Sequence, residues 1–205
     1  MTKIISFISR KGGTGKTTNA INLATSLHST GNKVMLVETD TNYTLNTLRK
    51  MEAAKESGVE VFDIVGSQDG NVADELQAVK NNQTYDYIIV DSAGKTTDEG
   101  IKKLCLVSNA VVVPTSLTQN DLLVTYQTVT DLLPAKNINT ALKILVLPNR
   151  IHSFTRLKTV QETLSKISAI VLEVMVPQKN AYVNFSTIHA EKEYAPVMKE
   201  ILKHL

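Results

Sequence analysis

The sequence predicts an α/β fold: a mostly parallel, twisted sheet in a three-layer arrangement, with helices on both faces. Three observations carry that expectation. Strand-like and helix-like stretches alternate along the chain, the pattern of repeated strand–helix–strand crossovers. The strand-like stretches are near-continuous apolar runs, as in Val34-Met35-Leu36-Val37 and Ala110-Val111-Val112-Val113, which suits strands buried on both faces. The first of them, Ile4-Ile5-Ser6-Phe7-Ile8, turns through a glycine-rich loop directly into a helix-forming segment.

That junction has the composition and setting of a phosphate-binding loop. Glycines let successive backbone N–H groups converge on phosphate oxygens, and a helix N-terminus adds partial positive charge there. Lys11, Gly12, Gly13, Thr14, Gly15, Lys16, Thr17 and Thr18 are therefore candidate nucleotide-binding residues. Lys16 can reach the β- and γ-phosphates of ATP, and the Thr17 hydroxyl can ligate Mg²⁺. A dinucleotide fingerprint, G-x-G-x-x-G, fails because Thr18 stands where its third glycine belongs. The expected architecture is thus the three-layer fold of P-loop NTPases.

The helix over residues 19–30 carries Ala20, Ile21, Leu23, Ala24 and Leu27 on one face, and Gly31 closes it. A strand over 33–37 runs into Glu38-Thr39-Asp40, carboxylates at the end where open α/β sheets bind ligands. A helix over 45–56, stopped by Ser57-Gly58, precedes a strand over 59–64 and a helix over 72–80. Tyr87-Ile88-Ile89-Val90-Asp91 is the second landmark, a Walker B layout in which a buried strand delivers Asp91 beside Mg²⁺. Ser92-Ala93-Gly94 then offers a loop able to approach a γ-phosphate closely. A strand over 110–114, a helix over 121–133 ended by Pro134, and a strand over 143–148 leading into Asn149-Arg150 follow. A helix over 155–165, a strand over 170–174 before Val176-Pro177-Gln178, and an amphipathic helix from Pro196 complete the chain.

Composition excludes several classes. With 205 residues, 42% apolar and 20% charged, the chain suits one sizeable domain, residues 1–205. No apolar run approaches the ~18 residues of a membrane span. The N-terminal apolar run is brief and enters the loop at once, unlike a signal peptide. A single cysteine, Cys105, excludes an internal disulfide, and a cytoplasmic location is expected. Net charge is +2, unevenly spread: residues 143–205 hold 9 Lys/Arg against 5 Asp/Glu, and residues 1–142 hold 13 against 15. That asymmetry is compatible with a weak polyanion-binding face built from Arg156, Lys158, Lys166, Lys179, Lys192, Lys199 and Lys203.

The strict motif G-x-x-x-x-G-K-[ST] needs glycine at position 10, where this chain has Arg10 followed by a second lysine, Lys11. In this the loop resembles the deviant Walker A motif of the ParA/MinD family of ATPases. The resemblance covers nearly the whole chain and points to the short, ParF-like plasmid partition ATPases, which lack an N-terminal helix-turn-helix. It implies that Lys11 crosses a dimer interface to the nucleotide of the partner subunit. It also implies that Asp40 positions the attacking water and stands with Thr17 and Asp91 around the metal; Asp40 also fits a helix N-cap. The family's D-x-D-P-Q motif reads here Glu38-Thr39-Asp40-Thr41-Asn42, a departure that bears on the hydrolysis rate. Asn149-Arg150 resembles the family's base-recognition pair, and Pro177-Gln178 the loop that packs on adenine. An Asn amide offers both donor and acceptor to a purine edge, and an Arg can stack on its face. A plain polar turn after Pro148 is the other reading of that pair.

The resemblance implies an ATP- and Mg²⁺-dependent switch that dimerises, binds DNA nonspecifically and hydrolyses ATP when a ParB- or ParG-like centromere-binding protein stimulates it. Its role would be partition of a plasmid or other low-copy DNA, with the ATP state on the nucleoid and no membrane involved. Three alternatives stay open. A MinD-like membrane-cycling ATPase needs a C-terminal amphipathic helix that is free to leave the body. A cargo-positioning ATPase acting on proteins would share the same core. A synthetase on the related fold would need a substrate motif that is not evident here.

Overall fold

The computed structural model describes residues 1–40, 44–56, 58–67, 71–94 and 97–205. Thr41 and Asn42 of the second motif and the expected helix stop at Ser57 lie outside the described residues.

Seven parallel strands form one sheet in the order β3-β2-β4-β1-β5-β6-β7. They are β1 (Lys3–Phe7), β2 (Val34–Glu38), β3 (Asp63–Gly66), β4 (Tyr87–Asp91), β5 (Ala110–Thr115), β6 (Lys143–Pro148) and β7 (Ile170–Val171). The chain leaves β1 toward β2 on one side, and β4 crosses β1 to reach β5 on the other. Such a reversal opens a crevice at the C-terminal ends of the central strands. Register makes those ends level, since Asp91 pairs with both Phe7 and Glu38. The residues following β1, β2 and β4 therefore emerge side by side.

Successive residues of each strand face opposite layers. Ile4, Ile88, Val90, Val111 and Val113 point to one core, completed by α3 (Val72–Asn82), α4 (Asp98–Val107), α5 (Gln119–Leu132) and α6 (Leu157–Thr163). Ile5, Phe7, Ile89 and Val112 point to the other, against α1 (Lys16–Ser29), α2 (Thr44–Ala53), the single turn α7 (Asn180–Val183) and α8 (Ala195–Leu202). The alternation makes both faces apolar, which explains the continuous runs in the sequence.

Several boundaries differ from the sequence expectation. Helix α1 begins at Lys16, before the expected 19, because Gly15 sits at φ 97° and turns the chain into the helix. Strand β3 lies at 63–66 because its pairing with β2 starts only at Asp63, and Val59 and Val61 stay exposed ahead of it. Helix α4 was not expected; Thr97 caps it, its hydroxyl accepting from the Gly100 N–H at 3.0 Å, and Ile101, Leu104 and Cys105 bury its inner face. Helix α5 runs past Leu132 into a 3₁₀ turn, Leu133–Asn137, in whose first turn Pro134 is tolerated. Strand β7 keeps only two of the five residues expected. Helix α8 docks Val197, Met198 and Ile201 into the core shared with α1, and the Leu205 carbonyl accepts from Lys3 Nζ at 3.0 Å.

Candidate nucleotide-binding site

The loop between β1 and α1 is built to present backbone donors. Gly13 and Gly15 adopt φ 75° and 97°, the left-handed region that L side chains rarely enter. A Cβ on Gly15 would fall 2.2 Å from Asn149 Nδ2, so the position admits glycine alone. No side chain caps α1, and its first turn holds no acidic residue. The positive end of its dipole and its free N–H groups thus face the crevice.

Charged groups from three strand ends converge there. Lys16 is buried, with Nζ 3.4 Å from the Lys11 carbonyl, and Gly94 approaches it closely enough that a Cβ would lie 3.6 Å from Nζ. Burial lowers the Lys16 pKa, while the charges of Asp91 and Asp40 oppose that shift. Asp91 is 3% exposed. Burial pushes its carboxyl up to about 7 despite a hydrogen bond with Thr17 and the charge of Lys16, with Glu38 and Asp40 adding to the rise. The Thr39 N–H donates to the Asp91 carbonyl at 3.1 Å, and the Ala93 N–H to the Thr39 hydroxyl at 2.8 Å, so the loops after β2 and β4 are tied together.

Glu38 has a task that sequence reasoning missed. Its carboxylate accepts from the N–H groups of Thr44, at 2.9 Å, and Leu45, at 3.2 and 3.3 Å. It therefore caps α2. Burial raises its pKa, the N–H groups of Leu45 and Thr44 lower it, and Asp40 raises it. A longer acid at position 38 followed six residues later by a helix start was the available signal.

Among the described residues, the buried Thr14 Oγ1 and Asp91 Oδ1 at this crevice lack a hydrogen-bond partner, as does Tyr182 Oη nearby. An unpartnered buried carboxylate oxygen beside a threonine hydroxyl fits Mg²⁺, which binds through one or two protein oxygens plus phosphates and waters. Thr17 and Asp91 are the residues that would hold it.

Lys11 and Arg10 are both engaged within the chain. Lys11 Nζ pairs with Asp121 Oδ1 at 2.5 Å, at the start of α5. Burial would raise the Asp121 pKa, but hydrogen bonds from Lys11 and Ser116 bring it below the usual carboxylate range. Arg10, at the glycine position of the strict motif, bridges Asp98 at 2.7 Å and Asp131 at 2.5 Å, joining the loop to α4 and α5.

The residues expected to seat a base, Asn149, Arg150, Pro177 and Gln178, share one cleft. Thr18, Asn149, Arg150, Pro177, Gln178, Lys179, Tyr182 and Val183 line a cleft of about 290 Å³ beside the loop. Asn149 does more there than face the cleft, since its Nδ2 donates to the Thr14 carbonyl at 2.7 Å. Arg150 is exposed at φ 55°. The seven basic residues considered for a polyanion face are all exposed, and Lys158, Lys179 and Lys203 pair with Glu162, Glu193 and Glu200. No helix among the described residues is long and apolar enough to cross a membrane.

Comparison with known proteins places this geometry in context. The model of the VirC1 protein family matches residues 2–191. The chain is 28% identical to protein virC1 of Rhizobium rhizogenes over 178 residues, 85% of this chain and 75% of that protein. It matches the crystal structure of a plasmid partition protein from Borrelia burgdorferi with a TM-score of 0.69 and 22% identity, covering 100% of this chain and 99% of the other. The septum site-determining protein MinD of Pyrococcus horikoshii OT3, complexed with Mg-ADP, matches with a TM-score of 0.64 and 20% identity, covering 100% and 94%.

Proposed function

The chain belongs to the VirC1 family and has the fold of ParA/MinD-type P-loop proteins, and from that premise we propose that it is an ATP-hydrolysing dimerisation switch that partitions DNA. One arrangement carries the reading: an uncapped helix N-terminus, a buried lysine and a partnerless buried carboxylate oxygen meet at the C-terminal ends of the central strands. Each element is costly or idle without a ligand, and a Mg²⁺-nucleotide satisfies all three. The complex of the Pyrococcus MinD with Mg-ADP supports the choice of ligand.

In this reading the N–H groups of residues 12–18 hold the phosphates, and Lys16 swings from the Lys11 carbonyl onto the β- and γ-oxygens. Thr17 and Asp91 would hold Mg²⁺, whose charge would offset that of the phosphates. Asp40 orients water for in-line attack, and Lys16 stabilises charge on the transferred group. Lys11 leaves Asp121 and reaches the nucleotide of a second copy, which makes the dimer dependent on ATP. Asn149, Arg150, Pro177 and Gln178 seat the base. The ATP dimer doubles the field of a weak basic face and so binds DNA nonspecifically, and a ParB- or ParG-like partner accelerates hydrolysis. Residues 1–205 act as one ATPase unit in the cytoplasm, on the nucleoid when ATP is bound. The docked α8 favours this reading over a MinD-like membrane cycle.

Phosphate release with and without duplex DNA tests the proposal. Wild type should turn over ATP, Lys16→Ala should lose nucleotide binding, and Asp40→Ala should bind without turnover. An Asp40→Ala variant that hydrolyses ATP at the wild-type rate would remove Asp40 from the mechanism.

A further inference from the structure

A peptide group points its N–H and C=O in opposite directions, so whatever holds a loop carbonyl also aims the next N–H. Two carbonyls of the phosphate-binding loop are held by asparagine side chains. The Thr14 carbonyl accepts from Asn149 Nδ2 at 2.7 Å. The Gly15 carbonyl accepts from both the Asn19 backbone N–H, at 3.0 Å, and Asn19 Nδ2, at 2.8 Å. These bonds turn the Gly15 and Lys16 N–H groups the other way, toward the crevice.

Asn19 is completely buried, and its amide is anchored by a residue far away in the sequence that packs against α1. Tyr194, also 0% exposed, lies in the turn just before α8. Its hydroxyl is 3.1 Å from both Asn19 Oδ1 and the Asn19 carbonyl oxygen, and its single proton bridges them. The opposite orientation of the Asn19 amide would set Oδ1 against the Gly15 carbonyl. A phenyl ring would fill all of the Tyr194 side chain's space except the hydroxyl's own, so Tyr194→Phe isolates the hydroxyl's two contacts.

We infer that Tyr194 is a positioning residue of the phosphate-binding loop, acting through Asn19 to keep the Lys16 N–H turned into the crevice. Remote in sequence, it links the C-terminal layer to the loop through two buried hydrogen bonds. Removal of the hydroxyl leaves Asn19 Oδ1 without a buried partner and frees its amide to rotate away from Gly15. The inference rests on the proposed nucleotide site.

The test is titration of MgADP into wild type, Tyr194→Phe, Asn19→Ala and the double variant, with thermal melts of each in the absence of nucleotide. Tyr194→Phe should weaken binding about fivefold to tenfold. The double variant should bind no more weakly than Asn19→Ala alone, because the two groups act as one chain. Binding by Tyr194→Phe within about twofold of wild type, whatever its melting temperature, overturns the inference, and so do independent effects that multiply. If wild type itself fails to bind MgADP, the nucleotide reading falls, and the link is judged on the nucleotide-free protein by NMR. The Gly15 and Lys16 amide resonances should shift in Tyr194→Phe; unmoved resonances overturn the link.

Discussion

Asp91 is the residue at which folding and proposed chemistry conflict most. Burial holds its carboxyl at about 7, well above the ordinary value near 3.9. Between those values the folded chain binds a proton that the unfolded chain has released, so stability falls as pH rises through that window. Glu38, also raised by burial, acts in the same direction. Thermal melts in EDTA should therefore show a melting temperature that declines from about pH 5 to about pH 8. Asp91→Asn should flatten that decline and abolish any stabilisation by Mg²⁺-nucleotide. Glu38 makes a separable contribution, because its carboxylate holds the first N–H groups of α2. Glu38→Ala should cost about 1–2 kcal/mol in urea denaturation, the usual loss of a helix cap. The sequence shows an acid at each of these positions, but the tasks are set by direction: Asp91 points at Thr17 and Lys16, and Glu38 turns to α2.

Among the elements, α8 bears on the two readings that share one core. Its apolar stripe is buried against α1, with Ile201 fully inaccessible, in place of being held ready for a lipid surface. Ile201→Ala should cost about 2–4 kcal/mol of stability. In a sedimentation assay with anionic vesicles and ATP the chain should stay in the supernatant; ATP-dependent pelleting would favour the membrane alternative. Most elements were legible because the apolar runs of β1, β2, β4, β5 and β6 are buried on both faces and leave an unmistakable pattern. Helix α4 was missed because Gly100 and the Lys102-Lys103 pair interrupt its periodicity, although Thr97 and the acids Asp98 and Glu99 mark its start. Strand β3 was displaced because it pairs on one edge only, so its side chains are half exposed and carry little pattern. The loop's turn into α1 through left-handed glycines was readable in its own residues. Its supports were not, since Asn149, Asn19 and Tyr194 meet it only through the folded sheet.

At the scale of the molecule, the two cations at the start of the loop are held by contacts within the chain, which on the proposed reading is the resting state of the switch. Lys11 is folded onto Asp121, and Arg10 ties the same loop to α4 and α5. An ion pair at a partly exposed position contributes about 0.2–1 kcal/mol, so it restrains Lys11 without trapping it. Asp121→Ala should shift ATP-dependent dimerisation to a protein concentration about twofold to fivefold lower, read by light scattering. Lys11→Ala should abolish that dimerisation while leaving nucleotide binding by the single subunit in place. The most direct measurement is the mass in solution of Asp40→Ala, which on the proposed mechanism cannot discharge the switch, with and without Mg²⁺-ATP. Sedimentation velocity should give the 22.5 kDa chain without nucleotide and a species of twice that mass with ATP, lost again in the Lys11→Ala double variant. A chain that keeps its single-subunit mass in saturating Mg²⁺-ATP would contradict the account.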